Sequence, residues 1–192
     1  MSPLQLLRRW IEEERQNGVA FANGAVLGTV SASGESRTRM LGVHFDEQGF
    51  PRFHTTPGSR KVLDLRDNAH ASLTFAFQRS LRSVSLEGEV AELTSTDLSR
   101  DWLSLEAAFR RSYLVFGPIS GQALRSPPTL NEARRALSES AEQLMPTSFI
   151  GFRFQTVRRI AFYSVGEDDF AQHTTHHFNT ETLSWSTQSV VP

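Results

Sequence analysis

The chain contains no cysteine. That removes disulfides, thiolate nucleophiles, zinc ribbons and iron–sulfur clusters together. It also lacks any apolar run approaching the ~20 residues that a bilayer-spanning helix requires. The stretch after Met1 carries Arg8 and Arg9 in an amphipathic pattern, without a continuous apolar segment. No secretory signal is therefore expected, and a soluble cytoplasmic protein is the expectation. A dominant charge is missing as well. Lys and Arg number 20 against 21 Asp and Glu, so no global field draws the chain to nucleic acid or to an anionic membrane. Tyr and Trp are scarce, at 2 and 3, whereas Phe reaches 14. With 39% hydrophobic residues in a chain of 192 there is enough apolar surface for a core, and Phe-rich composition favours packed sheets.

Leu4, Leu7, Trp10 and Ile11 recur at helical spacing, with Ser2 placed to cap, Pro3 in the first turn and Gly18 as the stop. Strand patterns follow over 25–30, 36–45 and 50–55, separated by turns at Ala32-Ser33-Gly34 and Asp46-Glu47-Gln48-Gly49. These three predict an antiparallel meander. Residues 59–66 read as a short helix. Strands are expected over 71–77 and 82–93 around a polar turn at Gln78-Arg79-Ser80, then a helix from Thr96 or Asp97 to about Arg111. Pro127-Pro128 breaks the chain, and Thr129-Leu130-Asn131-Glu132 is a capping box opening a helix through Leu144. Strands return over 149–156 and 159–165 and in a last pair ending near Ser189. Strand after strand without strand–helix alternation predicts one mainly β domain over residues 1–192, a closed or nearly closed barrel with flanking helices.

The most informative stretch is Pro57-Gly58-Ser59-Arg60-Lys61-Val62. Pro and Gly make a turn, Ser59 can cap the helix behind it, and two cations fall in its first turn. Cations there oppose the helix dipole, so exposed amides with Arg60 and Lys61 suggest a seat for a phosphate. A solvent-facing basic pair is the plain alternative. Arg39, in phase with Arg37 and Leu41 on a strand flanked by apolar residues, is an unusual choice unless its guanidinium meets an anion. A rim position with a snorkelling stem is the other reading.

With these residues in hand, the chain resembles the pyridoxamine 5'-phosphate oxidase family. The ordered series is a small-residue strand (25–31), Arg39-Met40-Leu41, Phe53-His54-Thr55, Gly58-Ser59-Arg60-Lys61, Asn68, Phe75, Arg82-Ser83-Val84, Glu87-Gly88 and Ser120-x-Gln122. The resemblance implies a homodimeric FMN-binding split β-barrel with the cofactor between protomers. By the same matching, Arg39, Ser59, Arg60 and Lys61 hold the flavin phosphate, Met40 and Leu41 belong to the same strand motif, His54 and Thr55 flank the flavin, and Gln122 reaches FMN from the second subunit. His44, Ser83 and Tyr163 match further flavin-contacting places.

The chain also departs from the family. His44 stands where a Lys contacts flavin and substrate, and Ser83 where a Gln contacts the flavin ring; Leu103-Ser104-Leu105-Glu106 offers no clear counterpart to the Arg-Pro that seats the substrate phosphate, with Phe109-Arg110-Arg111-Ser112 in shifted register as the alternative. Near the C-terminus the family's two Arg positions are Ala171 and Thr175, with His173 on the intervening His. These losses point away from a vitamin B6 phosphate as substrate, since each charged phosphate partner is worth a few kcal/mol. In His173-Thr174-Thr175-His176-His177 a strand would put His173 and His177 on one face and His176 on the other. No carboxylate or thiol completes ligand spacing, so no metal is expected.

The resemblance therefore implies an FMN-dependent oxidase of a small cyclic or partly reduced aromatic metabolite, like phenazine-pathway members of the family, with O2 as acceptor. His44 and His173 are the candidate catalytic side chains, because histidine charge responds to pH where Lys and Arg do not. A non-catalytic FMN or haem carrier of the same barrel is the alternative. A flavin reductase lacks a dinucleotide fingerprint here.

Overall fold

The computed structural model describes residues 1–123, 128–137, 144–166 and 168–192. The chain opens with helix α1 (Pro3–Gln16), whose start is a reciprocal cap: Ser2 Oγ accepts from the Gln5 amide at 3.2 Å while Gln5 Oε1 accepts from the Ser2 amide at 2.7 Å. Strands β1 (Gly24–Val30), β2 (Ser36–Gly42), β3 (His44–Phe45) and β4 (Pro51–Thr55) precede the short helix α2 (Arg60–Asp67). Then come β5 (His70–Phe77), β6 (Arg82–Glu92), α3 (Ser95–Ser104), α4 (Ala107–Phe116), α5 (Pro128–Ala136), β7 (Ile150–Val165), β8 (Ala171–Asn179) and β9 (Ser184–Val190). No helix among the described residues is long and apolar enough to cross a membrane.

The strands form one antiparallel sheet ordered β2-β1-β5-β6-β7-β4-β3, with β8 and β9 branching from β7. The branch arises because β7 is 16 residues long. One of its edges pairs with β6 throughout, and the other is shared between β4 near Ile150 and β8 beyond Arg159. Curled in this way, the sheet is a half-barrel with flanking helices, a split barrel. Its inner face packs Leu27, Phe53, Leu73, Phe75, Leu86, Phe154 and Ile160 out of contact with water. A second, smaller apolar cluster of Leu93, Leu98, Trp102 and Phe149 lies under α3 and α4.

Four expectations need correction. β4 pairs antiparallel with β3, the end of the segment expected over 36–45, but not with β2; its other edge lies on β7, where the register stacks Phe53 on Phe152 at 5.8 Å in the core. The strand expected over 36–45 is interrupted at Val43, where the Val43 amide donates to Asn23 O and Asn23 Nδ2 donates to Val43 O at 3.1 Å. The two strands expected over 149–165 are one. The helix expected from about 96 to 111 is two, because Leu105 is extended and packs into the second apolar cluster. The expected break at Pro127 and the run of α5 toward Leu144 fall partly on 124–127 and 138–143, outside the described residues.

At Gly88 the β6–β7 register shifts, and a Cβ there would lie inside the Thr156 carbonyl oxygen. Gly88→Ala is therefore expected to cost about 1–3 kcal/mol through overpacking, lowering the thermal midpoint by several degrees; an unchanged midpoint by calorimetry would show that the bulge relaxes freely.

Candidate functional site

Strand alternation puts Arg37, Arg39 and Leu41 on the face of β2 that looks toward α2, and Met40 on the other. Arg39 Nη1 donates to Thr29 Oγ1 at 2.7 Å, and its Nη2 lies 3.5 Å from Asp64 Oδ2. Arg37 reaches the other oxygen of the same carboxylate at 2.8 Å, and Thr29 Oγ1 donates to Asp64 Oδ2 at 2.7 Å. Asp64 is 2% exposed, so it orients both guanidiniums from inside the protein. Sequence reading missed Asp64 and Thr29. The available signal was a carboxylate at a buried position of α2, next to Leu65 in the helix.

The start of α2 supplies the rest. Ser59 does not cap the helix through its side chain, contrary to expectation. Its Oγ instead accepts from Lys61 Nζ at 2.6 Å, and Thr55 Oγ1 accepts from the same ammonium at 3.0 Å. Both of these partners are hydroxyls. Burial, with the Arg39 charge nearby, pushes the Lys61 ammonium down to about 8. Burial also lowers Arg39 from its ordinary value, against the raising effect of Asp64. A cleft of about 510 Å³ lies between Arg37, Arg39, Ser59, Arg60, Lys61 and the Ser120-Gly121 turn.

That turn comes from far along the chain and approaches to backbone contact. A Cβ on Gly58 would overlap Ser120 O, and one on Gly121, whose φ is +82°, would overlap Gly58 O. Thr56 Oγ1 donates to Ser120 Oγ at 2.6 Å across the same contact. Gln122, exposed, follows with its amide on Ile119 O. The turn bearing Gln122 thus sits beside the cleft of its own chain. Four cations (Arg37, Arg39, Arg60, Lys61) face two carboxylates, Asp64 and the exposed Glu35 that pairs with Arg37. The cleft is net positive and suited to a phosphate-sized anion.

The remaining candidates fall into two other groups. His54 points away from the cleft into the second apolar cluster, its ring 4.8 Å from Phe149 and its Nε2 2.8 Å from Asp101 Oδ2. Arg52 takes the other Asp101 oxygen at 2.9 Å. His44, pairing opposite Arg52, has its ring 5.5 Å from that of His54. Burial holds His44 below the usual imidazole range, and the His54 and Arg52 charges add to this. The third group is a cross-strand row of Ser83, Tyr163 and His173 on the outer face of β6, β7 and β8. Thr175, in the same strand, is buried opposite Ala161. Met40 is exposed on the outer face, and Leu41 packs on the core. His176 turns inward, its ring 5.5 Å from Phe162, while His173 and His177 share the outer face.

The sequence profile of the family described as Pyridoxamine 5'-phosphate oxidase matches residues 11–159. The chain belongs to this family. A pyridoxine/pyridoxamine 5'-phosphate oxidase of Photobacterium profundum is 27% identical over 99% of this chain and 89% of the relative. A Mycobacterium sp. (strain JLS) enzyme of the same name is 37% identical, over 50% of this chain and 46% of its own. Among solved structures, PhzG from Burkholderia lata, in complex with tetrahydrophenazine-1-carboxylic acid, superposes with a TM-score of 0.83 at 18% identity, covering 100% of this chain and 93% of its own. A pyridoxamine 5'-phosphate oxidase-related FMN-binding protein from Nostoc punctiforme gives the same score and identity, covering 100% and 98%. These likenesses establish the split-barrel fold.

Removing the shared carboxylate leaves two strand guanidiniums without their inner counter-ion. Asp64→Ala is expected to destabilise the fold by about 3 kcal/mol, within the range for breaking a buried pair. The check is a lower urea midpoint at constant slope; an unshifted midpoint would deny the ion pairs any weight.

Proposed function

We propose that this protein is an FMN-dependent oxidoreductase, an oxidase of a small cyclic or partly reduced aromatic metabolite, acting as a homodimer. The observation that carries the reading is Lys61: a half-buried ammonium beside Arg39 whose hydrogen-bond partners are both hydroxyls. A dianionic phosphate is the counter-ion this arrangement calls for. Arg39, Ser59, Arg60 and Lys61 would hold it, with Thr55 bracing Lys61 and Asp64 aiming Arg39. FMN held by these residues would supply the redox chemistry, acting as hydride acceptor from the substrate with O2 as the final oxidant and hydrogen peroxide as its product.

The chain's own residues bind, orient and handle protons. His44, held neutral by its surroundings, offers an imidazole nitrogen to the proton that leaves the substrate. Ser83, Tyr163 and His173 lie on the opposite face of the sheet from Arg39, so one chain does not unite them with its own cleft. In a homodimer this row of one protomer covers the cleft of the other. Met40, whose side chain faces the other way, and Leu41, whose side chain packs on the core, would then contribute backbone, and Gln122 would close the phosphate end. Arg52, beside His44 and His54, is tied to Asp101, and Leu103-Ser104-Leu105-Glu106 carries no counterpart to the family's Arg that seats a substrate phosphate. This supports a substrate without a phosphate, in preference to a vitamin B6 phosphate.

A second reading is a flavin or haem carrier without turnover. Thr175 and Ser83, standing where the family has an Arg and a Gln, favour it, because the lost donors would stabilise negative charge on a reduced flavin.

The purified protein is expected to be yellow and to release FMN on denaturation. Arg60→Ala with Lys61→Ala should weaken FMN binding by ~100-fold or more, at roughly 1.5–3 kcal/mol per charged hydrogen bond; full retention would defeat the phosphate assignment. The pH dependence has a definite sign. An anion raises the Lys61 pKa above the value of about 8 that burial and Arg39 give it, so affinity is full below that value and falls as pH rises through it. Below about 6 the phosphate itself becomes monoanionic, so fluorescence titration should show a plateau between these limits. Anaerobic flavin bleaching by dihydroaromatic compounds, then peroxide on admitting air, separates oxidase from carrier. Absence of both with every donor tried would favour the carrier.

A further inference from the structure

His44 of β3 pairs opposite Arg52 of β4, and His54 stands two residues beyond Arg52 on the same face of that strand. Asp101 of α3 meets this face. Its Oδ1 takes Arg52 Nη2 at 2.9 Å, and its Oδ2 lies 2.8 Å from His54 Nε2. The side chains of His54 and Asp101 are only 6% and 4% exposed. Burying an imidazole and a carboxylate is costly unless each satisfies the other, as they do here. The His54 ring is also stacked on Phe149 at 4.8 Å, and Phe149 is met edge-on by Trp102 and Tyr113. His54 is therefore fixed on two sides.

His44 is treated differently. It is exposed, its ring lies 5.5 Å from that of His54, and among the described residues no hydrogen bond reaches it. A fixed imidazole thus stands beside a free one, and like charges at this distance repel. Partial withdrawal from water, then the His54 and Arg52 charges, hold His44 below the usual imidazole range, whereas Asp101 works the other way. The other charged groups nearby are mostly paired. From α1, Arg9 meets Glu13 at 3.5 Å and Arg15 meets Glu12 at 2.6 Å, while Arg8 lies over the Phe45 ring at 5.8 Å. In the turn after β3, Asp46 meets Arg153 at 2.7 Å and Glu47 meets Arg100 at 3.4 Å. On α3, Asp97 also pairs with Arg100, at 2.8 Å.

We propose that His54 is a positioning residue for His44. Clamped between Asp101 and Phe149, it opposes positive charge on the His44 ring and so keeps that ring available as a proton acceptor. This rests on the reading of His44 as the group that takes the substrate's proton. His54 and Asp101 lie outside the phosphate cleft and act through His44. A His54 that merely tied β4 to α3 would leave His44 indifferent to its replacement.

NMR of the full chain as purified, with labelled histidine, follows the His44 Cε1–H signal against pH; that signal is the one missing from the spectrum of His44→Gln. In the unmodified protein its midpoint is expected below the ordinary imidazole value of about 6.5. His54→Gln, whose amide can still donate to Asp101, should raise the midpoint by about half a pH unit or more. Asp101→Asn should lower it, because the lost carboxylate favours charge on His44. Should His54→Gln fail to fold, His54→Phe keeps the stacking on Phe149 and should also raise the midpoint. Opposite shifts support the proposal, since lost packing alone dictates neither sign. A midpoint unmoved by replacing His54, shifts of the same sign for His54 and Asp101, or an unmodified midpoint at or above the ordinary value overturns it. The acid limb of flavin bleaching by a dihydroaromatic donor should follow the His44 midpoint to higher pH in His54→Gln. A limb that stays put while the midpoint moves overturns the role of His54 in the reaction. If no donor bleaches the flavin, the oxidase reading falls, and the NMR shifts still decide whether His54 governs His44.

Discussion

Asp64 lies on α2 almost wholly out of water and collects Arg37, Arg39 and the Thr29 hydroxyl through its two oxygens. The rest of the candidate site depends on this arrangement. A guanidinium on a strand has a long, mobile stem, and without a fixed counter-ion it would sample solvent. Here a single carboxylate ties β1, β2 and α2 together and sets the direction in which Arg39 presents its positive charge. One oxygen takes Arg37 and the other takes both Thr29 and Arg39, so the carboxylate is engaged from inside at both ends. It holds the cations in place without cancelling them.

The unbalanced charge that results is displayed next to the start of α2, where Lys61 rests on two hydroxyls and feels Arg39. Burial, and after it the Arg39 charge, make the Lys61 ammonium costly to keep charged. A bound dianion offsets that cost. The proposed phosphate seat thus rests on a buried ammonium and a guanidinium held close together, with the glycine contact between residues 58 and 121 closing the cleft at backbone distance.

Elsewhere the same chain spends its polar groups differently. Asp101 ties up Arg52 and His54 beneath α3, and Leu105 is turned into the apolar cluster. Ser83, Tyr163 and His173 form a row on the outer face, away from the cleft. The strand alternation that keeps Phe and Leu in the core thus distributes the candidate residues over two faces of one sheet. A complete site of the kind proposed needs two copies.

Much of this was legible before any coordinates. Alternation and turn residues marked most strands, Ser2, Pro3 and Gly18 bounded α1, and the Gly58-Ser59-Arg60-Lys61 run stood out as an anion seat. These are local properties, set by backbone propensities and side-chain periodicity over a few residues. What stayed hidden was each decision made by a distant partner. Phe152 drew Phe53, and with it β4, to β7; Asn23 broke the strand at Val43; and Leu105, drawn into the apolar cluster, divided α3 from α4. Asp101 pulled His54 away from the cleft, and Asp64 captured the two arginines. By itself the sequence determined the family, most of the strand and helix content and the basic run that opens α2. Only the tertiary structure decided which side chains meet, because burial and charge pairing act across space between residues that the chain order keeps far apart.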